Sequence, residues 1–377
     1  MTEQTRLGES SAVRTLYVAF ELGARSWRLA MTTDRQEATR HDVVAAGDLR
    51  AVLSKLARAR ARWGLPAATR VVSAYEAGRD GFWLHRWLTA QGIANVVLDA
   101  TSIERDRRAK HVKTDRLDAE RLLALLVAGT ERRKRLRVVR VPSAAAEDAR
   151  HADRELATVK AAATAIRHRV SGLLATQGLR VTVTGRRGLD LAALRTWDGA
   201  PLGSGLQGRL TRELAMLTAL TARIGALDTA RRAALTQAAT PATQQMATLT
   251  HLRGLGANGA ARLVSEFFGW RTFHNGREIG SLAGLTPTPY QSGTSARDQG
   301  ISKAGNARVR TMIVELAWSW LRFQPTSGLS RWYQARFGSG SKRLRRIGIV
   351  ALARKLLIAL WRYLETGVPP EGAVLKA

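Results

Sequence analysis

The chain has 377 residues, 45% of them hydrophobic, which is enough apolar material for two or three separate cores. Lys and Arg total 60 against 30 for Asp and Glu, so the formal net charge is +30 and a large polyanion is the expected partner. Cysteine is absent, which excludes disulfides, thiolate metal sites and cysteine nucleophiles. The composition therefore indicates a multidomain protein that works on nucleic acid.

Neither end of the chain has the pattern of a membrane or export segment. The first twenty residues carry scattered charges and no long apolar run, which does not fit a secretory signal. The apolar stretch from Ile347 to Leu360 is interrupted by Arg354 and Lys355, so it predicts a buried helix rather than a membrane span. We expect the protein to remain in the cytoplasm.

The first hundred residues alternate between strand and helix patterns. Thr15 to Phe20 and Trp27 to Thr32 predict a hairpin that turns around Gly23. Further along, helical spacing and β-rich runs predict helix, strand, helix and strand in turn at 48–63, 70–75, 81–91 and 96–98. This order is typical of an α/β domain.

Helical patterns dominate the middle of the chain. Thr114 is the predicted N-cap of a helix that ends near Val127. The basic run at 131–140 is expected to connect domains or to line a nucleic-acid channel, or else to be a solvated linker. Residues 145–178 and 208–238 predict two long helices, which form either an antiparallel hairpin or a dimerising coiled coil. Their imperfect heptads leave the oligomeric state open.

Four carboxylates stand where a two-metal nuclease needs them: Glu21, Glu76, Asp115 and Asp118. The first two follow predicted strands, and the two aspartates are spaced i, i+3 on one face of a helix. Hard divalent cations such as Mg²⁺ or Mn²⁺ take oxygen ligands and promote reactions at phosphate. The structural alternative is that these are ordinary surface acids, with the aspartates favouring the helix dipole and pairing with nearby arginines. Lys113, beside the aspartates, is a candidate phosphate contact.

The segment 249–270 has the pattern of a helix-hairpin-helix. A helix end is followed by a glycine-rich hairpin with Gly254 and Gly256, and then by a second helix. Backbone N–H groups at such a hairpin can hold a DNA phosphate without reading sequence. The alternative is a tight helix turn with no ligand.

The next stretch, 282–322, contains a candidate nucleophile. Turn residues crowd from Thr286 to Thr294, and within them Ser292 directly precedes Gly293. Ser295 is a rival in the same loop, and either serine alone is more typical of a turn that bonds its own backbone. The basic side chains that follow are candidates to hold phosphates: Arg297, Lys303, Arg308 and Arg310.

Three N-terminal segments, YVAFELGARSWRLA, SAYEAGRDGFWLHRWL and RAKHVKTDRLDAERL, resemble the DEDD transposases of the insertion sequence 110 family, and the serine stretch resembles their C-terminal domain. The resemblance implies an α/β plus α architecture. It comprises an RNase H-like (RuvC-like) nuclease domain at 14–130, a helical coiled-coil oligomerisation region at 141–245, and a mostly helical C-terminal domain at 248–370. One departure is that the family's first acid is Asp, whereas this chain has Glu21.

The same resemblance implies a bacterial, nucleoid-associated enzyme that cuts and rejoins DNA. Ser292 corresponds to the family's nucleophile, and the four carboxylates correspond to its metal ligands. A structured bridge RNA that chooses the DNA sites and a homo-oligomer, dimer or tetramer, are implied as well. Two other functions stay open from the residues alone: a metal-dependent nuclease that hydrolyses junction DNA with water, and a nucleic-acid-binding protein without enzymatic activity.

Overall fold

A computed structural model describes residues 14–33, 37–99, 114–130, 136–184, 189–292 and 295–376. The chain divides into two compact units, Met1–Val141 and Pro142–Ala377, and each is described by itself. The first unit mixes a sheet with helices and the second is mostly helical. The α/β plus α prediction is confirmed at this level.

The first unit is built on a five-stranded mixed sheet with the order β3-β2-β1-β4-β5. Strand β1 lies at its centre, antiparallel to β2 and parallel to β4, which is in turn parallel to β5. In chain order the elements are β1 (Leu16–Leu22), β2 (Ser26–Thr32), β3 (Arg40–Ala45), α1 (Leu49–Arg62), β4 (Val71–Glu76), α2 (Trp83–Ala90), β5 (Ala94–Leu98) and α3 (Asp115–Thr130).

Helices cover both faces of this sheet. On one face Leu16, Val18 and Phe20 of β1 pack in a core that includes side chains of α1 and α2. On the other face Tyr17 and Ala19 pack in a core that includes the apolar side chains of α3. Because successive side chains of a strand point to opposite faces, a central strand buried on both faces is apolar at nearly every position. This explains why β1 was predictable as a strand.

Two features of the first unit differ from the prediction. Strand β3 was missed, since it is an edge strand whose pattern, RHDVVA, contains only one buried residue. Part of the basic run at 131–140 has regular structure that the sequence did not predict: Val138 bridges Leu98 of β5 in antiparallel fashion, and Val139 N–H donates to the Val97 carbonyl at 2.7 Å. These residues extend the sheet edge, and residues 131–135 lie outside the described part.

The second unit begins with a long pair of helices. Its elements are α4 (Ala144–Asp148), α5 (His151–Ala175), α6 (Ser204–Gln237), α7 (Pro241–Thr250), α8 (Ala257–Glu266), α9 (Gly276–Leu282), β6 (Pro287–Ser292), β7 (Ser295–Ile301), α10 (Ala307–Phe323), α11 (Gly328–Tyr333) and α12 (Lys342–Thr366). Arg169 of α5 bonds to Glu213 of α6, and Lys160 lies 3.6 Å from Asp228. Because the partner numbers run in opposite directions, the two helices are antiparallel within one chain, which was one of the two predicted arrangements.

Helices α7 to α12 surround a single apolar core. Trp320 of α10 and Leu356 of α12 are among its most buried members. The stretch 347–360 is a largely buried part of α12, as predicted. Trp318 is 51% exposed because it lies on the outer side of α10. In the described residues no helix is long and apolar enough to cross a bilayer.

Candidate functional site

The two predicted glutamates lie next to each other at one edge of the sheet. Glu21 is near the end of β1, and Glu76 is the last residue of β4. These strands are parallel neighbours whose register pairs Phe20 with Tyr75, so the glutamates occupy the next pair of positions. Both are partly buried. Since side chains alternate along a strand, both belong to the face of the sheet against which α3 packs.

The two predicted aspartates open helix α3. Thr114 Oγ1 accepts a hydrogen bond from the Leu117 backbone N–H at 3.3 Å, which confirms the predicted N-cap. Asp118 is partly buried, and its Oδ1 accepts from Arg121 Nη1 at 3.2 Å. Asp115 is exposed at the first position of the helix. The hydrogen bond from Arg121 matches the structural alternative to metal binding, in which the aspartates pair with nearby arginines.

The donor set suits Mg²⁺ or Mn²⁺, which prefer carboxylate oxygens. The glutamates are register neighbours, and the aspartates belong to the helix that packs on the same face of the sheet. Within the described ranges, however, no three His, Cys, Asp or Glu side chains lie close enough to hold a metal ion. The acids are thus brought to one side of the sheet without forming a metal-binding group, and the metal stays a prediction.

The candidate serine lies on a β-hairpin that the sequence predicted only as turns. Ser292 is the last residue of β6 and Ser295 the first of β7, and the two are register partners. Gly293 and Thr294, between them, lie outside the described residues. Arg297 pairs with Tyr290 along the hairpin backbone. The structure therefore places both rival serines opposite each other at the end of one hairpin.

The base of this hairpin is fixed by backbone hydrogen bonds to the segment before it. Ser302 N–H donates to the Thr286 carbonyl at 2.8 Å, and Lys303 N–H donates to the Gly284 carbonyl at 3.1 Å. Gly284 has φ +68°, and a Cβ there would lie 2.3 Å from the Ala304 carbonyl oxygen. Only glycine fits at this close approach. The base of the serine hairpin is thus closely packed and held by backbone hydrogen bonds.

Lys303, a predicted phosphate contact, is exposed and has φ 55°, a left-handed conformation that costs a non-glycine residue about 1–2 kcal/mol. We expect Lys303→Gly to raise stability by about 1 kcal/mol relative to Lys303→Ala, since only glycine removes the strain. Both changes should weaken DNA binding equally, because both remove the charge. Thermal unfolding and DNA titration of the two variants check this; equal melting temperatures would contradict it.

Helix α10 begins directly after this base. Its N-cap Asn306 accepts hydrogen bonds from the Arg308 and Val309 backbone N–H groups at 3.0 and 3.1 Å. The Arg308 side chain is 48% exposed and available to a phosphate. Arg310 is partly buried, and its Nη1 donates to the Ala283 carbonyl at 3.2 Å. Arg310 therefore braces the hairpin base, whereas about half of the Arg308 side chain is in solvent.

A buried glutamate that sequence reasoning missed links this region to the long helices. Glu266, the last residue of α8, is 2% exposed. Arg154 of α5 donates to both of its carboxylate oxygens, at 2.7 and 3.1 Å. Asn306 Nδ2 donates to the Glu266 carbonyl at 3.3 Å, and Arg308 Nε lies 3.9 Å from its carboxylate. A lone acid inside the apolar stretch VSEFFGW was the available signal, but sequence alone could not identify its partners.

The charge state of Glu266 follows from these contacts. Burial acts to raise the pKa of the carboxyl, but the hydrogen bond and charge of Arg154, with Arg150 and Asn306, outweigh burial and hold the pKa below its ordinary value of 4.5. The carboxylate in turn raises the pKa of Arg154. Glu266 is therefore ionised at neutral pH and acts as the anionic centre of an arginine cluster.

We expect Glu266→Gln to destabilise the second unit by roughly 2–4 kcal/mol, because it leaves Arg154 and Arg150 without their buried counter-charge. Urea unfolding at pH 7 measures this. A group whose pKa is lowered by folding stabilises the fold above its unfolded pKa, and that stabilisation is lost as pH falls through its folded pKa. The difference between wild type and variant should therefore shrink below about pH 4.5.

The matched control is Glu155→Gln. Glu155 of α5 also pairs with an arginine, Arg223 of α6, but the two side chains are 37% and 61% exposed. Exposed pairs contribute about 0–1 kcal/mol. If Glu266→Gln and Glu155→Gln lowered the free energy of unfolding equally at pH 7, the prediction that the buried pair contributes more than the exposed pair would be wrong.

The helix-hairpin-helix pattern corresponds to α7, a turn and α8. Gly254 has φ +86°, a Cβ there would lie 2.9 Å from Phe323 Cβ, and its carbonyl accepts from Ser319 Oγ at 2.6 Å. Gly254 therefore serves packing against α10. Gly256 is exposed at the N-cap of α8, where a phosphate has access. Lys113 lies outside the described residues.

Comparison with known proteins bears on both units. The family model described as the IS116/IS110/IS902 transposase family matches residues 246–334, which include the serine hairpin and Glu266. A Sinorhizobium fredii protein named as a transposase, y4rJ, is 39% identical over 377 residues, 96% of this chain and 94% of its own length. A Pseudomonas aeruginosa protein named as a family 20 transposase is 31% identical over 261 residues, 68% of this chain and 74% of its own.

The similarity to a protein named as a transposase extends over nearly the whole length of both chains, so this protein is a transposase by class. The family model that matches the serine region identifies which family of transposases it is. The chain belongs to the IS116/IS110/IS902 family of insertion-sequence transposases. The family resemblance stated from the sequence is thereby confirmed.

Proposed function

We propose that this transposase cuts and rejoins DNA through Ser292, with divalent cations held by Glu21, Glu76, Asp115 and Asp118. The observation that carries the proposal is the hairpin: Ser292 ends its first strand, its base is held by backbone hydrogen bonds beside Lys303, and it lies inside the segment that matches the transposase family. Serine is a weak nucleophile unless another group removes its proton or polarises its target. The carboxylates of the first unit are the proposed source of that assistance.

The fold of the first unit supports an RNase H-like assignment. A central strand with an antiparallel hairpin on one side and two parallel strands on the other brings Glu21 and Glu76 to one sheet edge. The helix that carries Asp115 and Asp118 packs on the same face. When bound, the cations would stabilise charge on the phosphate and on the leaving oxygen.

The proposed chemistry exchanges one phosphodiester bond for another, so the energy of the broken DNA phosphodiester is retained. Ser292 Oγ forms a bond to phosphorus and gives up its proton, while the bond between phosphorus and one sugar oxygen breaks and that released sugar oxygen takes a proton. The phosphoserine link retains a phosphodiester, so attack by a second DNA hydroxyl restores a strand and frees the serine without nucleotide hydrolysis. Lys303 and Arg308 would hold the neighbouring phosphates.

We also propose that a structured bridge RNA selects the DNA sites and that the enzyme acts as a dimer or tetramer. The charge of +30 is large enough for contacts with both DNA and RNA. RNase treatment should then abolish site-specific adduct formation. It should leave non-specific DNA binding in place, because phosphate contacts do not depend on the guide.

The test is to incubate the protein with Mg²⁺, its flanking genomic DNA and transcripts of the adjacent non-coding region. The proposal predicts a protein–DNA adduct that survives denaturation. Cleavage without an adduct would favour hydrolysis by a metal-dependent nuclease. Binding with neither cleavage nor adduct would favour a non-enzymatic binding protein.

A further inference from the structure

The N-terminal end of α12 extends beyond the core of the second unit. Every residue from Ser341 to Ile347 is exposed, and the buried residues of the helix begin at Gly348. Even the apolar side chains Leu344 and Ile347 are 41% and 53% exposed. At about 3.6 residues per turn, almost two turns of helix therefore lie outside the core. Their contact with it is the Tyr333 hydroxyl, which donates to the Arg345 backbone carbonyl at 3.2 Å and leaves the basic side chains exposed.

This projecting end is strongly basic. It contains Lys342, Arg343, Arg345 and Arg346, and its first turn has no acidic residue. Within the described part of the chain, none of the four forms an ion pair. A fifth exposed cation, Arg336, lies in the adjoining turn at Gln334–Gly338.

These charges do not favour the fold. The N-terminus of a helix carries partial positive charge, so cations there are unfavourable, and mutual repulsion adds to the cost. The long helix gains its stability from the buried residues beyond Gly348. The four cations are thus unexplained by folding, whereas an anionic partner would account for them.

The four basic side chains occupy one side of the helix. At about 100° per residue they fall within an arc of roughly 160°. The same side carries Ile349, Leu356 and Leu360 further along, where the helix packs on the core. A projecting end that packed on another protein would continue this side with apolar residues. Instead the chain continues it with cations, which fits a polyanion.

We infer that the basic end of α12, Lys342, Arg343, Arg345 and Arg346, is a docking surface for the phosphate backbone of duplex DNA. The inference rests on the proposed function for the identity of the partner, but the surface is distinct from Ser292 and the carboxylates. Backbone contacts of this kind position a protein on DNA and carry no sequence information directly. Binding removes the repulsion between the cations and satisfies the helix N-terminus.

The test compares wild type with the triple variant Arg343→Gln, Arg345→Gln, Arg346→Gln on a duplex of arbitrary sequence, titrated by fluorescence anisotropy over a series of salt concentrations. Three lost phosphate contacts should reduce the slope of log K against log[salt] by about 2.7, at about 0.9 per contact, and weaken binding at least roughly tenfold at low salt. The melting temperature should rise, because the unfavourable cations are gone.

The matched control is Arg362→Gln. Arg362 is exposed on the same helix but lies near its C-terminus, where a cation is favourable. Arg362→Gln should bind duplex DNA with the affinity of wild type, and its melting temperature should not exceed that of wild type. Unchanged affinity and salt slope in the triple variant would overturn the inference, and so would weaker binding accompanied by a lower melting temperature, since that indicates a structural role.

Failure of the proposed function is distinguishable from failure of this inference. Ser292→Ala should retain the full salt slope, because the nucleophile is not part of the docking surface. If no adduct forms with any DNA, but the triple variant still shows a smaller slope of log K against log[salt], the docking surface is supported and the proposed serine chemistry is wrong. If wild type does not bind duplex DNA, both are overturned.

Discussion

Ser292→Ala should abolish the covalent protein–DNA adduct and lower strand cleavage by at least about 10³-fold, because the proposed mechanism takes its attacking oxygen from this serine. Denaturing gel electrophoresis of labelled DNA measures both quantities. DNA binding by the variant should be unchanged, since a single hydroxyl contributes little to a contact dominated by phosphate charge.

Ser295→Ala is the matched control for this prediction. Ser295 is the register partner of Ser292 on the same hairpin. Removing its hydroxyl therefore perturbs the same local structure, but the adduct should persist. Loss of the adduct in Ser295→Ala with retention in Ser292→Ala would identify Ser295 as the nucleophile. Retention in both would contradict a serine mechanism on this hairpin.

Glu76→Gln and the pair Asp115→Asn, Asp118→Asn should each lower cleavage by more than about 10²-fold. Mutation of groups that only hydrogen-bond to metal ligands already lowers metal affinity or activity by about 10- to 100-fold, and loss of a ligand lowers it further. Folding should be little affected, because Asp115 and Asp118 are on the helix surface rather than in the core. Cleavage assays over a Mg²⁺ series, with circular dichroism for the fold, measure these effects.

Glu21 provides a control that separates charge from geometry. The family resemblance places Asp at this position, so Glu21→Asp retains a carboxylate and should retain activity. Glu21→Gln removes the charge at constant size and should lose it. Equal activity of Glu21→Gln and wild type at limiting Mg²⁺ would show that this residue is not a ligand.

Sequence patterns predicted most of the first unit because its strands are buried on both faces and its helices are amphipathic. Leu16 to Leu22 and Val71 to Glu76 are nearly continuous apolar runs, and Thr114 is a clear N-cap. The strand Arg40–Ala45 escaped prediction because an edge strand with one buried residue has no such pattern. Its position is fixed by pairing with β2, which is a non-local contact.

The candidate site was predicted less completely. The serine segment was singled out from the sequence, but its hairpin was hidden by prolines and glycines that are typical of turns. The Arg154–Glu266 pair joins residues more than a hundred positions apart, and no local pattern indicates it. The four acids were chosen by spacing and resemblance, while the distances between their side chains depend on tertiary packing.

The central claim is that cations bound by the N-terminal carboxylates and the hydroxyl of Ser292 act on the same phosphodiester. Iron-mediated cleavage tests it most directly: Fe²⁺ replaces Mg²⁺ in the DNA complex, and locally generated radicals cut the polypeptide near the metal. The account predicts cuts close to Glu21, Glu76 and Asp115 and, only when DNA is bound, close to Ser292. Cuts near the carboxylates that never include the serine hairpin would contradict it.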